Sequence, residues 1–292
     1  MASKQKIAAV SSLLLGATTW GLVWYPYRLL EQAGVSGALS SFATYLLPLL
    51  AGIVIFRRQL GGIAEHRGML LAIGLTAGWT NLAYVLAILH GEVMRVLLLF
   101  YLSPLWTVLL SRLLLGERPN FHGSLVMGMA FSGAVVMLWQ PRLGVPLPAN
   151  DAEWLALSAG LMFAASNVLS RRGHDIPVDL KSLGVWAGVS LLSLLALLAY
   201  PGQAAVPGGL TANGWGMLAG IGVLIFLVTV TVQFGLSHTP ANQAIVIFLF
   251  ELVVAAISSY FLAAESLNSR EWAGGAMIVA AGLFSGKLAD KG

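Results

Sequence analysis

The sequence predicts an all-α integral membrane protein of ten transmembrane helices in two inverted five-helix repeats. Three observations carry that prediction: composition, the spacing of apolar runs, and a short internal match. Of 292 residues, 58% are hydrophobic and 10% charged, with a mean hydropathy of +0.84; water-facing domains carry about 25% charged residues. Breaker and charge clusters divide the apolar runs into spans near 7–27, 37–56, 69–89, 93–114, 122–139, 153–170, 182–200, 214–235, 241–262 and 272–287. A span takes about 20 apolar residues, so ten leave short loops and no soluble domain. With no GxxxxGK[ST] phosphate cradle, ATP-driven pumping by this chain alone is excluded.

In the first span, Lys4 and Lys6 precede an apolar run, as in a signal peptide. That run is too long for a signal and meets Trp20, Tyr25 and Arg28 rather than a small-residue cleavage site, so it stays as a span. His90, Gly91 and Glu92 alone turn the third span into the fourth, and the fifth is short. Lys/Arg bias then sets direction. With the N-terminus inside, one face collects Lys4, Lys6, Arg57, Arg58, Arg67, Arg112, Arg118, Arg171, Arg172, Lys181, Lys287 and Lys291. The other collects Arg28, Arg142 and Arg270, with Arg95 just inside a span near it. Both termini are expected in the cytoplasm of a multi-pass protein. The net +4 charge is dispersed singly and in pairs, which suits topology-setting loops and not a nucleic-acid surface.

The internal match joins Ser111–Asn120 (SRLLLGERPN) to Ser259–Asn268 (SYFLAAESLN). Each closes a long apolar helix and precedes a Gly-containing final helix. Glu117 falls in a basic, inside loop, whereas Glu265 falls in a loop whose basic residue is Arg270, hence outside. Five spans is an odd number, so the halves, 1–145 and 146–292, run in opposite directions. Transporters built this way place the substrate near the midplane between the halves.

On these residues the chain resembles the drug/metabolite transporter superfamily, specifically its ten-helix EamA-type members. The resemblance is carried by Trp20-Gly21, by Leu102-Ser103-Pro104-Leu105-Trp106, by Leu115-Gly116-Glu117, and by Ala264-Glu265, Gly274-Gly275 and Gly282 in the second half. The stretch Arg95–Glu117 looks most like the YddG-type aromatic amino-acid exporters. Three departures stand out: no proline in the second half opposite Pro104, with Glu251 in its neighbourhood; a short spacing from Glu117 to Gly123; and no Arg early in the second span.

Glu251 is the sharpest site candidate. Near the middle of the ninth span a carboxylate costs on the order of 3 kcal/mol, so it faces the bundle interior or a watery cavity, is paired, or holds a proton. It is read as a substrate-amine contact or protonatable gate; the alternative is a carboxyl bonded to a neighbouring helix. Asn81, Asn167, Thr229 and Gln233 are mid-span groups able to bond a ligand, or to serve as interhelical glue worth about 0.6 kcal/mol each. Thr229 and Gln233 share one helix face. Trp20, Tyr101 and Trp106 lie too deep for an interfacial aromatic belt, and with Trp79, Tyr84 and Phe163 suit a ring-accepting cavity. Arg95 and Glu92 are three apart and can pair at the cavity mouth, Arg95 otherwise snorkelling to the headgroups. Pro104 is the hinge candidate. The pairs Gly74/Gly78, Gly184/Gly188 and Gly216/Gly220 read as packing seams.

Enzyme chemistry finds little footing. No His falls mid-span, and the sequence holds no HExxH, no Asp pair within spans and no Cys; Gly235-Leu236-Ser237-His238 reads as a helix end. No catalytic residue, metal site or cofactor is expected. The reading is a secondary transporter working by alternating access in the bacterial inner membrane. The resemblance implies export of amino acids, chiefly aromatic, with the lipid bilayer and a small-molecule substrate as partners, protons as the candidate coupling ion, and no obligate protein partner. A drug or small-metabolite exporter of the same fold is the alternative; a membrane scaffold or lipid-modifying enzyme is remote.

The Lys/Arg split makes a topology prediction. In single-cysteine variants treated with an impermeant thiol reagent in intact cells, Asn150→Cys and Asn268→Cys label from outside, while Asn120→Cys and Asp179→Cys label only after lysis. The opposite pattern would overturn both the orientation and the inverted-repeat argument.

Overall fold

A computed structural model describes residues 2–91, 93–139, 147–204, 210–262 and 269–288. Twelve α-helices are found among them: α1 (Ala2–Gln32), α2 (Gly37–Ile55), α3 (Ile63–His90), α4 (Val93–Phe100), α5 (Ser103–Leu114), α6 (Phe121–Leu138), α7 (Asp151–Arg172), α8 (Val178–Ala199), α9 (Ala212–His238), α10 (Ala241–Phe248), α11 (Phe250–Leu262) and α12 (Ser269–Leu288). No strand occurs among the described residues.

Among the described residues, nine segments are long and apolar enough to cross a membrane, with α4–α5 and α10–α11 each counting as one. The tenth predicted span is α12, 20 residues long, which packs along α6. The expected elements are therefore present, with one correction. The sequence reading takes the ninth span as one helix, whereas the chain breaks it at Leu249.

Helix starts follow from local chemistry. Ser36, Asn120, Asn150 and Thr211 stand in extended conformation before α2, α6, α7 and α9, and each side-chain oxygen accepts from an N–H three residues on. Each bond satisfies one of the donors a helix start leaves open. At Asn150 the cap is reciprocal, because Glu153 accepts from Ala149 N at 2.8 Å and from the Asn150 side chain at 3.1 Å. The end of α5 is set by Gly116 at φ +69, a left-handed residue that stops the helix and turns Glu117 back toward the bundle.

The packing is symmetric under exchange of the two halves. Helix α3 packs on α7, as α1 packs on α9; α3 packs on α8, as α2 packs on α9. The broken pair α4–α5 lies on α7, as α10–α11 lies on α1. The self-paired contacts are α2 with α8, α6 with α12, and α5 with α10 between the two broken spans. Glycines permit the closest crossings. A Cβ on Gly188 would overlap the Gly74 carbonyl, and one on Gly78 the Gly188 carbonyl. One on Gly133 would press on Gly274 O, and one on Gly274 on Gly133 O. The α3–α8 and α6–α12 seams are thus backbone-to-backbone contacts, as small-residue motifs allow where lipid supplies no hydrophobic drive between helices. Gly216 and Gly220 differ from expectation: nothing lies within 4 Å of either added Cβ, so this pair seals no crossing within the chain.

The contrast is measurable. Gly188→Ala should destabilise by about 1–3 kcal/mol, the usual cost of overpacking, read as a lowered thermal midpoint in detergent. Gly216→Ala, set in open space, should leave the midpoint unchanged or raise it slightly. Equal effects would contradict the seam.

Candidate functional site

The two helix breaks define the centre of the molecule. Between α4 and α5 the chain turns at Tyr101 and Leu102, where Pro104, in the first turn of α5, has no N–H to continue the ladder. Between α10 and α11 the turn is at Leu249, with Glu251 in the first turn of α11. The breaks correspond in the repeat: Tyr101 and Leu249 have the same sequence spacing as Ser111 and Ser259. Their backbone bonds correspond too, Tyr101 N donating to Leu97 O at 2.9 Å and Leu249 N to Ile245 O at 3.1 Å.

Glycines on the flanking helices bring the breaks inward. A Cβ on Gly160 of α7 would strike the Phe100 carbonyl, and one on Gly21 of α1 would lie 2.8 Å from Glu251 O. Next to Gly21, Ser258 Oγ donates to Gly21 O at 3.0 Å and accepts from Trp24 Nε1 at 2.9 Å, tying α11 to α1. The breaks are joined by polar and aromatic contacts. The Tyr101 phenol and the Glu251 carboxyl lie close enough to interact, and Tyr84 is near enough to feel the same charge. Around them the ring centroids are 5.0 Å apart for Tyr84–Phe100, 5.2 Å for Phe100–Tyr101, 5.5 Å for Phe100–Phe163 and 5.8 Å for Phe163–Phe248. One carboxyl, two phenols and three phenyl rings therefore meet where α3, α4, α7, α10 and α11 converge.

The amides lie on the same helices or beside them. Asn81 is one turn from Tyr84 on α3, and Asn167 one turn from Phe163 on α7. Gln233 and Thr229 are buried one turn apart on α9. Asn81 Oδ1, Asn167 Nδ2, Gln233 Oε1 and Trp106 Nε1 are buried atoms without a hydrogen-bond partner, uncommon for groups that cost about 1–3 kcal/mol when unsatisfied. Four of the sequence-predicted site residues thus carry buried polar atoms without a partner, among others elsewhere in the bundle such as Ser40, Trp186 and Gln203.

Other predicted residues lie apart from this cluster. Trp20 packs against a second apolar cluster that contains Leu30, Trp186 and Ile225. Trp79 is exposed and donates from Nε1 to Ser158 Oγ at 3.1 Å, bridging α3 and α7. Trp106 lies beyond the break on α5. Glu92 lies outside the described residues; Arg95 is in α4, with its side chain also outside them.

Sequence reading overlooked a network at the basic end of the bundle. Lys181, read as a loop charge, is fully buried in α8. Its ammonium donates to Ser170 O at 3.2 Å, to Gly173 O at 3.0 Å and to Ser237 Oγ, capping the end of α7 and holding the end of α9. Arg171 donates to Ser237 O at 2.6 Å and from Nε to Glu117 Oε1 at 3.4 Å, and Glu117 Oε2 accepts from Ala241 N at 2.9 Å. The available signal was the short connection after Gly173, which lets a lysine in the next helix reach back to the carbonyls of the last one.

The fold and site define a helical membrane protein with a polar and aromatic centre between two broken helices. The sequence profile of the EamA-like transporter family matches residues 7–139 and again 151–286, and the chain belongs to that family. It is 26% identical over 245 residues to the pseudopaline exporter CntI of Pseudomonas aeruginosa, covering 84% of this chain and 81% of that one. It is 25% identical over 217 residues to an uncharacterized transporter of Archaeoglobus fulgidus, covering 74% and 75%. A solved structure superimposes with a TM-score of 0.77 over 99% of both chains at 19% identity, a likeness of fold. The chain is thus a multi-pass membrane protein of a transporter family.

Proposed function

We propose that this protein is a secondary exporter of amino acids, chiefly aromatic, moving them out across the bacterial inner membrane by alternating access. Both termini lie in the cytoplasm, and residues 1–145 and 146–292 form the two halves. The observation that carries the reading is the Glu251–Tyr101 contact where the two helix breaks meet within a ring of aromatics. An amino acid brings an ammonium, a carboxylate and a side chain. Glu251 offers a charge-assisted bond to the first, Asn167 Nδ2 has a free donor for the second, and the rings of Tyr84, Phe100, Phe163 and Phe248 accept an aromatic third. Tyr101 holds the carboxyl and is the group that trades places with the substrate amine. Pro104 and the Leu249 turn supply the hinges. Arg95 and Glu92 serve as the outer gate, and protons are the coupling ion. Similarity to a relative named as an exporter of a different small molecule, pseudopaline, favours a second reading, metabolite export through the same centre.

Proteoliposomes loaded with phenylalanine or tryptophan should exchange it for labelled substrate with no nucleotide present. Glu251→Gln should leave expression intact but lower exchange about tenfold or more, the loss of one charged hydrogen bond, and flatten its dependence on pH. If no amino acid moves faster than in protein-free vesicles, the amino-acid reading fails and metabolite export takes its place. If Glu251→Gln exchanges like the unsubstituted protein at every pH, Glu251 is structural.

A further inference from the structure

A closed ring of bonds surrounds the hinge between α9 and α10. Arg171, at the end of α7, holds the last carbonyl region of α9 through Ser237 O. Beyond Ser237 the chain turns through His238, Thr239 and Pro240 into α10. The first N–H of α10, at Ala241, is held by Glu117 Oε2, and Glu117 Oε1 returns to Arg171. Lys181 supports the ring from below through Ser237 Oγ. Glu117 itself comes from the other half, on the loop after α5, where left-handed Gly116 directs it inward. A carboxylate at a helix start is the favourable sign for the partial charge there.

This ring connects directly to the centre. Helix α10 is eight residues long, about 12 Å, with the Glu117 contact at its start and the Leu249 break and Glu251 at its end. Helices α7 and α9 run in the same direction, since one antiparallel helix lies between them, and Arg171 meets Ser237 at their ends. One turn earlier on each lie Asn167 and Gln233, whose unpaired Nδ2 and Oε1 are 7% and 4% exposed as residues. The ring is therefore the last layer between those amides and the basic end.

We infer that Glu117 and Arg171 form the cytoplasmic latch that positions α10, and that releasing it opens the centre to the cytoplasm. The inference rests on the transport reading for its purpose but not for its test. The latch joins the first half (Glu117) to two helices of the second (α7 and α10), the relation that has to change when one half rocks against the other. Side-chain exposures of 28% for Arg171 and 22% for Glu117 leave the pair open to water and salt, so it can break without stranding a charge. Arg171 and Glu117 are positioning residues: Glu117 touches α10, Arg171 braces Glu117 and the end of α9, and neither touches the substrate.

Ala244, 1% exposed and one turn into α10, serves as reporter. In a protein with no other cysteine, Ala244→Cys in inside-out vesicles should react slowly with an impermeant maleimide. Adding Glu117→Gln or Arg171→Gln should raise the rate at least about fivefold, the weight of a partly exposed pair and its bonds. Arg171→Lys, which keeps a cation able to donate to Ser237 O, should restore part of the protection lost in Arg171→Gln, which a merely structural defect would not. Should the single variants fail to fold, raising ionic strength on Ala244→Cys alone should speed labelling, because salt screens the pair. Rates that are fast throughout, or that ignore both charge changes and salt, would overturn the latch. The readout needs no substrate, so failed exchange leaves it unaffected.

Discussion

A bilayer core offers no water to a backbone group freed from a helix, so an interrupted helix survives there only where protein surrounds it. This chain interrupts two helices in the middle, and much of the architecture follows from housing those breaks. Phe100 and Phe248 place their rings on Phe163 between the two breaks. Gly160 and Gly21 let α7 and α1 approach the Phe100 and Glu251 carbonyls more closely than any side chain would permit. The same interruption brings the Glu251 carboxyl and the Tyr101 phenol together at the centre.

Symmetry explains why the breaks meet. Each half contributes one broken helix and one glycine-bearing helix, and the halves exchange them: α7 supports the break of the first half, α1 that of the second. The seams at Gly74–Gly188 and Gly133–Gly274 hold the remaining pairs at backbone distance. The ends are different in kind. At the basic end, ionic and capping bonds from Glu117, Arg171 and Lys181 do what packing does in the middle. Charged contacts of this sort form and break more readily than a glycine seam.

The helical membrane fold was legible because hydropathy acts over whole segments. The break at Leu249 was not, since no proline marks it, although the repeat linking Ser111 to Ser259 pointed there. Glu251, Tyr101, Tyr84 and Phe163, which the fold brings together, stood out in the sequence as candidates because a midplane carboxyl and deep rings are costly or unusual in lipid. Trp20 and Trp79 looked alike on that criterion, yet a span sequence does not reveal which flank of a helix meets which neighbour. One joins a different core cluster and the other sits exposed, bonded to Ser158. Lys181 was hidden by its position, because a lysine near a span end reads as a topology charge until the carbonyls it caps are in view.

The central claim is that substrate occupies the space between the two breaks. Its most direct test is protection at Tyr84→Cys, a single cysteine on the ring cluster, assayed with a small permeant thiol reagent in proteoliposomes. An amino acid that the protein exchanges should slow alkylation at least about fivefold at saturating concentration. An exchanged amino acid that leaves the rate unchanged would place its path elsewhere and contradict the account.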